Sequence, residues 1–176
     1  MPLTLYKLKQ IMPHAGLRAE AFYHPLLVAM DEFGITSPER QAAFLAQVAH
    51  ESGSLKYTKE IASGEAYEGR KDLGNTEPGD GVKYKGRGLL QITGRANYQA
   101  CSIALYADPD HLLDNPSVLE LPMAAARSAG WYWSSRGLNT LADTGKFERI
   151  TRKINGGLNG QEDRLANWDR AKTVLA

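Results

Sequence analysis

Cysteine is nearly absent from this sequence: Cys101 is the one cysteine among 176 residues. A lone cysteine cannot form a disulfide within the chain, which excludes a disulfide framework and any dependence of the fold on an oxidising compartment. Because 43% of the residues are hydrophobic, a chain of this length predicts one domain that buries its own core. Cys101 is expected to be a small buried member of that core.

Long hydrophobic runs are also missing. No segment approaches the roughly 18 consecutive apolar residues that a membrane span needs, so membrane insertion is not expected. The N-terminal segment lacks the apolar core and the small-residue cleavage site of a secretory signal. We therefore predict synthesis in a cytoplasm, and action outside it would require another means of release. We expect a monomer.

Net charge is close to zero, since 21 basic residues face 20 acidic ones. This balance excludes a bulk electrostatic attraction to nucleic acid, and the basic-aromatic stretch around Lys85 and Arg87 is too short to act as a nucleic-acid surface. That stretch also lacks the terminal Lys-Ser/Thr of a phosphate-binding loop. His50-Glu51 lacks the second histidine of a zinc helix, because position 54 is Ser54. No metal and no cofactor are expected.

What the sequence does contain is helical periodicity. The most clearly marked helix follows the N-cap and first-turn pair Ser37-Pro38 and carries an apolar stripe up to His50. Pro25 should lie near the start of the second helix or kink it, and the last helix should turn Leu165, Trp168, Ala171 and Leu175 inward. The predicted helices cover residues 5–12, 19–33, 39–50, 95–106, 122–136, 147–154 and 161–175. This pattern predicts a mostly α fold with at most a small β element at 89–92, where the alternative is the wall of a groove.

One irregular stretch interrupts the helices. Residues 63 to 88 hold seven glycines together with Pro78, a composition that denies long regular structure. Such a stretch in a compact domain is usually functional. Trp131, Trp133 and Trp168 are spaced as core residues, which favours packing over sugar stacking.

Two carboxylates stand next to this stretch. Glu51 falls in the last turn of the third helix, and Glu60 follows nine residues later, beyond Gly53. A glycosidase needs one carboxyl group as proton donor and a second as base or nucleophile. The negative end of the helix and apolar neighbours would favour the protonated form of Glu51, as an acid requires. On spacing alone, however, a pair of solvated surface residues is the more common case, and Glu65 and Glu68 compete with Glu60.

Three sequence blocks, taken together, resemble glycoside hydrolase family 19, which comprises chitinases and phage endolysins on a lysozyme-like fold. The first runs from His50-Glu51-Ser52-Gly53 to Glu60. The second is Tyr84-Lys85-Gly86-Arg87-Gly88, continuing through Gln91-Ile92-Thr93 to Asn97-Tyr98. The third is Ile154-Asn155-Gly156-Gly157, followed by Arg164.

The resemblance implies roles for individual residues. Glu51 would be the general acid, Glu60 the general base that activates water, and Thr93 a residue that helps to hold that water in an inverting mechanism. An arginine near the base would keep it ionised. The segment around Glu68 and Arg70 would form one wall of the groove. The remaining residues expected to line the sugar groove or to brace the carboxylates are His50, Tyr84, Arg87, Gln91, Asn97, Tyr98, Asn155 and Arg164.

Departures from the family pattern point to the endolysin branch. Leu89 stands where chitinases often have proline, and the paired cysteines of plant chitinases are missing; Ser54 replaces a glycine of the first motif. In plant-type relatives the second glutamate lies farther along, so Glu68 stays an alternative base. The expected function is an endolysin that hydrolyses the glycan strand of bacterial peptidoglycan, in a single catalytic domain without a separate wall-binding module. A chitinase is the alternative, and a non-catalytic wall-binding protein is the alternative of another class.

Overall fold

The computed structural model describes residues 3–176, and helices account for nearly all of the regular structure there. The α-helices are α1 (Leu5–Ile11), α2 (Arg18–Glu32), α3 (Pro38–Glu51), α4 (Asp80–Lys83), α5 (Arg95–Tyr106), α6 (His111–Asp114), α7 (Pro122–Ser135), α8 (Leu138–Asp143), α9 (Phe147–Asn155) and α10 (Gln161–Leu175). Short 3-10 turns cover Glu65–Tyr67, Lys71–Leu73 and Pro116–Glu120. The prediction of a mostly α fold is confirmed.

Extended structure in residues 3–176 is limited to isolated bridges that pair Arg87 with Lys59 and with Ile92. Of the two alternatives for 89–92, the small β element is not formed: residues 88–91 are a turn, and only Ile92 takes part in a bridge. Gln91 has φ +54°, a left-handed conformation outside the range of a regular strand. The segment bends back on itself, and one of its residues faces the groove described below.

Helix α3 is the central element of the main core. Ser37 Oγ accepts the amide of Arg40 as the predicted N-cap, and the residues from Ala42 to Ala49 are buried. Its most extensive neighbour is α10, while α2 packs mainly on α7. A second, smaller cluster gathers Tyr84 and Ile92 with residues of α5 and α6, and α7 supplies residues to both clusters.

Two details of the helices differ from expectation. Helix α2 continues through Pro25, which is buried in its middle, so the alternative that Pro25 lies near the start of the helix is wrong. On α10, Leu165 is 38% exposed, whereas Arg164 and Asn167 are buried. The inward face of α10 is thus partly polar. The reason is that Arg164 reaches from this face to a carboxylate at the end of α3.

The tryptophans pack on the two clusters as predicted, Trp133 inside the main one, Trp168 partly buried against it and Trp131 partly buried against the smaller one. Trp133 is fully buried and meets Phe44 edge-to-face at 5.4 Å between ring centroids, and its Nε1 donates to Asn139. Trp168 stacks on Phe147 at 4.4 Å. Both arrangements are favourable aromatic contacts within a core. Burial raises the pKa of the Cys101 thiol to about 12, so this cysteine is a packed, unreactive side chain at neutral pH.

The irregular stretch after α3 is held by polar contacts instead of by regular structure. Asn75 is buried, donates to the carbonyl of Tyr67 and accepts the amide of Arg95. Asp80 pairs with Arg95 through both carboxylate oxygens, at 2.6 and 2.8 Å. The Arg95 guanidinium lowers the pKa of Asp80, so this contribution to stability is present above the ordinary value of 3.8 and is lost as the pH falls through the lower folded-state value.

Residues 3–176 contain no helix that is long and apolar enough to cross a membrane.

We expect Gly130→Ala to destabilise the fold although alanine is the better helix former. A Cβ at Gly130 would lie 2.5 Å from the Phe33 ring and 3.2 Å from the Ala29 carbonyl, where α7 crosses α2. Overpacking of this kind costs about 1–3 kcal/mol, which outweighs a propensity gain of about 1 kcal/mol. Thermal and denaturant unfolding measure the change.

The matched control is Ser134→Ala, an exposed position on the same helix that reports helix propensity alone. If Gly130→Ala is as stable as this control, the Phe33 ring can move away from the added methyl group and the prediction of overpacking is wrong.

Candidate functional site

The end of α3 brings the first candidate carboxylate to the surface. Ser52 closes the helix by donating to the Val48 carbonyl at 2.6 Å and accepting the Leu55 amide at 2.9 Å. Ser54 and Leu55 then adopt left-handed conformations, which turn the chain sharply. The Glu51 side chain, 21% exposed, is therefore left at the boundary between the core and solvent.

A buried guanidinium holds Glu51 in place. Arg164 is only 1% exposed, and its Nη2 donates to Glu51 Oε1 while its Nη1 donates to Gln47 Oε1. Gln47 lies one turn before Glu51 and also donates to Thr151 at 2.9 Å. Arg164 therefore holds one oxygen of Glu51 in an ion pair. The predicted arginine thus contacts the predicted acid and not the predicted base.

A second contact joins the neighbouring residues of the same two helices. His50 Nδ1 lies 2.7 Å from Asp163 Oδ2, which also accepts from Asn167 at 3.1 Å. Gly160 packs against the other side of the imidazole, where a Cβ would lie 2.2 Å from the ring. Consecutive residues of α3, His50 and Glu51, are therefore tied to consecutive residues of α10. His50 lines a separate cavity on this side and is absent from the lining of the groove that holds Glu51 and Glu60, so bracing stays the predicted role.

The second carboxylate, Glu60, receives a hydrogen bond on each oxygen. The Tyr67 hydroxyl donates to Oε1 and the Gly86 amide donates to Oε2, both at 2.9 Å. The backbone amide of Glu60 in turn donates to the Gly86 carbonyl at 2.8 Å. Burial and the contact with Glu60 raise the pKa of Tyr67, so its hydroxyl stays protonated and keeps donating. Glu60 is thereby fixed in one orientation.

Gly86 is the point on which the predicted residues converge. A Cβ there would lie 2.4 Å from Gln91 Oε1, 3.1 Å from Glu60 Oε2 and 3.3 Å from Thr93 Oγ1. Only glycine leaves the three side chains this space. Thr93 donates a hydrogen bond to the Gln91 carbonyl at 3.0 Å, which leaves its oxygen lone pairs to accept a hydrogen bond from water.

Both carboxylates open onto one groove of about 370 Å³. The complete lining is Glu51, Tyr57, Lys59, Glu60, Ile61, Ala62 and Gln91. Two carboxylates on one open groove are the minimum set for acid–base cleavage of a glycosidic bond.

Comparison with known proteins agrees with this geometry. No family model matches the chain. It is 32% identical to a glycosyl hydrolase family 19 domain-containing protein of Haemophilus influenzae, over 93% of this chain and 92% of that protein. Among solved structures, chitinase C of Streptomyces griseus superposes with a TM-score of 0.79 at 27% identity, covering 98% of this chain and 91% of that one.

The chain belongs to glycoside hydrolase family 19. It is a glycosidase whose relatives include an Arabidopsis thaliana endochitinase, 36% identical over 81% of this chain and 50% of that protein. The chain thus spans about half the length of this plant relative. A second bacterial family 19 chitinase structure gives a TM-score of 0.77 at 28% identity, covering 98% of this chain and 94% of that one.

Within this family 19 chain, some predicted groove residues are instead internal supports. Tyr84 is fully buried, and the prediction that it binds substrate is wrong. Arg87 is buried in an ion pair with Glu120 at 2.9 Å and donates to the Tyr98 hydroxyl at 2.9 Å, so it too is unavailable to a sugar. Tyr98 donates to the Lys85 carbonyl at 2.7 Å. Arg87 and Tyr98 thus hold the backbone just before Gly86 and fix its position.

Glu68 has a different structural role from the one predicted. Its two carboxylate oxygens accept the amides of Gly79 at 2.6 Å and Gly81 at 2.8 Å, at the start of α4. It therefore anchors the irregular stretch and is absent from the lining of the groove. This leaves Glu60 as the second carboxylate of the groove.

Three further residues predicted to contact the sugar, Asn97, Arg70 and Asn155, lie at the surface or next to the site. Asn97 donates to the Thr93 carbonyl at 2.7 Å and so supports Thr93. Arg70 is exposed and paired with Asp72. Asn155 has a buried Nδ2 that finds no partner among residues 3–176, which suits a donor to a ligand. Sugar contacts by Arg70 and Asn155 stay predictions.

Sequence reasoning missed several residues. Gln47 could have been found, because it precedes Glu51 by four residues and so shares its helix face. Tyr57 lies inside the first motif and is 37% exposed on the groove. Tyr67 and Asp163 carry no local signal, since each acts through a contact that only the folded chain creates.

We predict that Tyr67→Phe lowers kcat/KM roughly 10- to 100-fold, since a hydrogen bond to a charged group is worth about 1.5–3 kcal/mol. Steady-state kinetics on a soluble glycan polymer measure the loss, with Tyr6→Phe, an exposed tyrosine on α1, as control. Equal rates for the two variants would show that Glu60 needs no donor from Tyr67.

We predict that Asp163→Asn lowers kcat by about two- to fivefold while the melting temperature changes little, because the contact with His50 is partly exposed. The adjacent exposed acid supplies the control, Glu162→Gln. If the control loses as much activity as Asp163→Asn, the loss comes from the charge of the first turn of α10 and not from the contact with His50.

Proposed function

We propose that this glycosidase is an endolysin-type enzyme that hydrolyses the glycan strand of bacterial peptidoglycan. The pair of differently bonded carboxylates on one groove supports glycoside hydrolysis, and the choice of peptidoglycan rests on Leu89 and on the missing paired cysteines. Glu60 has both oxygens occupied by donors, whereas Glu51 has one oxygen on Arg164 and the other without a partner in residues 3–176. The route by which the enzyme would reach the cell wall, synthesis in a cytoplasm followed by release, stays a prediction.

The bonding pattern supports a division of roles. Each oxygen of Glu60 accepts one hydrogen bond and keeps a further lone pair, so the oriented carboxylate can accept a proton from water and suits the general base. Glu51 can carry a proton on Oε2 while Arg164 holds Oε1, so it suits the general acid. Glu51 protonates the leaving glycosidic oxygen as the bond to the anomeric carbon breaks. Water attacks that carbon and one of its protons passes to Glu60, while its second hydrogen stays on the new hydroxyl group and donates a hydrogen bond to Thr93 Oγ1.

A chitinase is the second candidate. The named relatives favour it, because chitinases from Arabidopsis thaliana and Streptomyces griseus match most of this chain. The acid–base chemistry is the same for both polymers, so the catalytic residues do not distinguish them. Substrate choice must come from contacts along the groove.

The test is product analysis. Purified peptidoglycan and chitin are digested, and the soluble products are examined by mass spectrometry with and without borohydride reduction, which labels the new reducing end. We expect reduced saccharides from peptidoglycan at a rate well above that from chitin. Release from chitin alone would reject the peptidoglycan assignment and support the chitinase.

We predict that Glu51→Gln and Glu60→Gln each lower kcat by at least about 100-fold, the range for loss of a general acid or base. Glu68→Gln is the matched control, because it removes a carboxylate from the same loop that contacts only the backbone of α4. We expect it to lower thermal stability and to retain most activity. A large loss of kcat in a folded Glu68→Gln protein, with Glu60→Gln active, would reverse the assignment of the base.

A further inference from the structure

The margin of the groove carries a group of lysines, Lys56, Lys59 and Lys85, which we call the lysine rim. Lys59 itself lines the groove. Lys56 Nζ stands 5.0 Å from the ring centre of Tyr57, and Lys85 Nζ donates to the Ala62 carbonyl at 2.9 Å. Tyr57 and Ala62 are both lining residues. Each ammonium group is therefore on the groove or in contact with a residue that is.

The acidic side chains nearby do not neutralise this rim. Glu51 is matched by Arg164. Glu120 is shared between Lys59 at 3.2 Å and Arg87 at 2.9 Å, so two cations meet one anion. Lys56 and Lys85 have no carboxylate within 4 Å among residues 3–176.

Glu60 has neutral partners, the Tyr67 hydroxyl and a backbone amide, so its charge offsets one lysine of the rim. The three rim lysines with Arg87 and Arg164 make five cations, which still exceed the three carboxylates Glu51, Glu60 and Glu120 by two charges. Positive charge is thus left over at the margin of the groove, while the protein as a whole has a net charge of only +1. Charge concentrated at a cleft selects the sign of the ligand that enters it.

We infer that the lysine rim recognises carboxylate groups carried by the glycan, and that Lys56 is a specificity-determining residue of this groove. The inference rests on the proposed function. A sugar that reaches Tyr57 places its substituents next to the Lys56 ammonium. A polymer of N-acetylglucosamine is neutral and offers no partner there, whereas the lactyl-peptide substituents of peptidoglycan carry carboxylates.

Lys56 is the rim residue best suited to a test. Lys59 shares an ion pair and Lys85 holds a backbone carbonyl, so their replacement would disturb the walls of the groove. Lys56 is exposed and supports no other group besides the Tyr57 face. Lys146, exposed at the start of α9 away from the groove, provides a control that removes the same charge in Lys146→Gln.

The experiment compares native peptidoglycan with the same material after its carboxyl groups have been converted to amides by carbodiimide and ammonia. Reducing ends released per minute are measured for the wild type, Lys56→Gln and Lys146→Gln at low and at high salt. We expect Lys56→Gln to lose about two- to fivefold more rate on the native than on the amidated polymer, as for one exposed ion pair. High salt should shrink this difference, and Lys146→Gln should show none.

An equal loss on native and amidated polymer, or an equal effect of Lys56→Gln and Lys146→Gln, overturns the role of the lysine rim and leaves the proposed function intact. A wild type that cleaves soluble glycol chitin but releases no reducing ends from either peptidoglycan overturns the proposed function, and the inference with it. The wild-type measurement separates the two failures.

Discussion

The contact between Arg164 and Glu51 is the interaction on which the site depends. A guanidinium that is almost fully buried must be paired, because an isolated buried charge is costly. Glu51 and Gln47 supply that pairing from α3, and this requires α3 and α10 to pack closely with a polar strip between them. The position of the candidate acid is therefore fixed by the same packing that forms the main core.

The facing loop reaches comparable precision without regular structure. Gly86 occupies the narrow space among Gln91, Glu60 and Thr93 and donates its amide to the carboxylate of Glu60. Behind it, Arg87 and Tyr98 hold the backbone through hydrogen bonds. Polar contacts thus fix the positions of the side chains in this loop, whereas apolar packing fixes those of α3. A loop held on a rigid scaffold is the usual location of a functional site.

Much of the architecture follows from sequence patterns, whereas most side-chain contacts of the site do not. Helical periodicity and capping residues located α3 and α10, and three motifs identified the family and the candidate carboxylates. Periodicity misplaced Leu165 because it treats an inward face as apolar, and here that face carries Arg164. Motif matching likewise assigned Tyr84 to the sugar, although its ring is internal. The contacts of Tyr67 and Asp163 join residues that no local pattern relates.

In the proposed mechanism Glu51 protonates the leaving oxygen while water on the side of Glu60 attacks the anomeric carbon. The most direct measurement is proton NMR of the anomeric signals during the first minutes of hydrolysis of a soluble β-linked glycan-strand oligomer of peptidoglycan. A water held by Glu60 attacks from the face opposite the leaving group, so the account predicts that the α-anomer appears first and the β-anomer only by later mutarotation. Initial formation of the β-anomer would contradict it, because retention requires a covalent intermediate in place of that water.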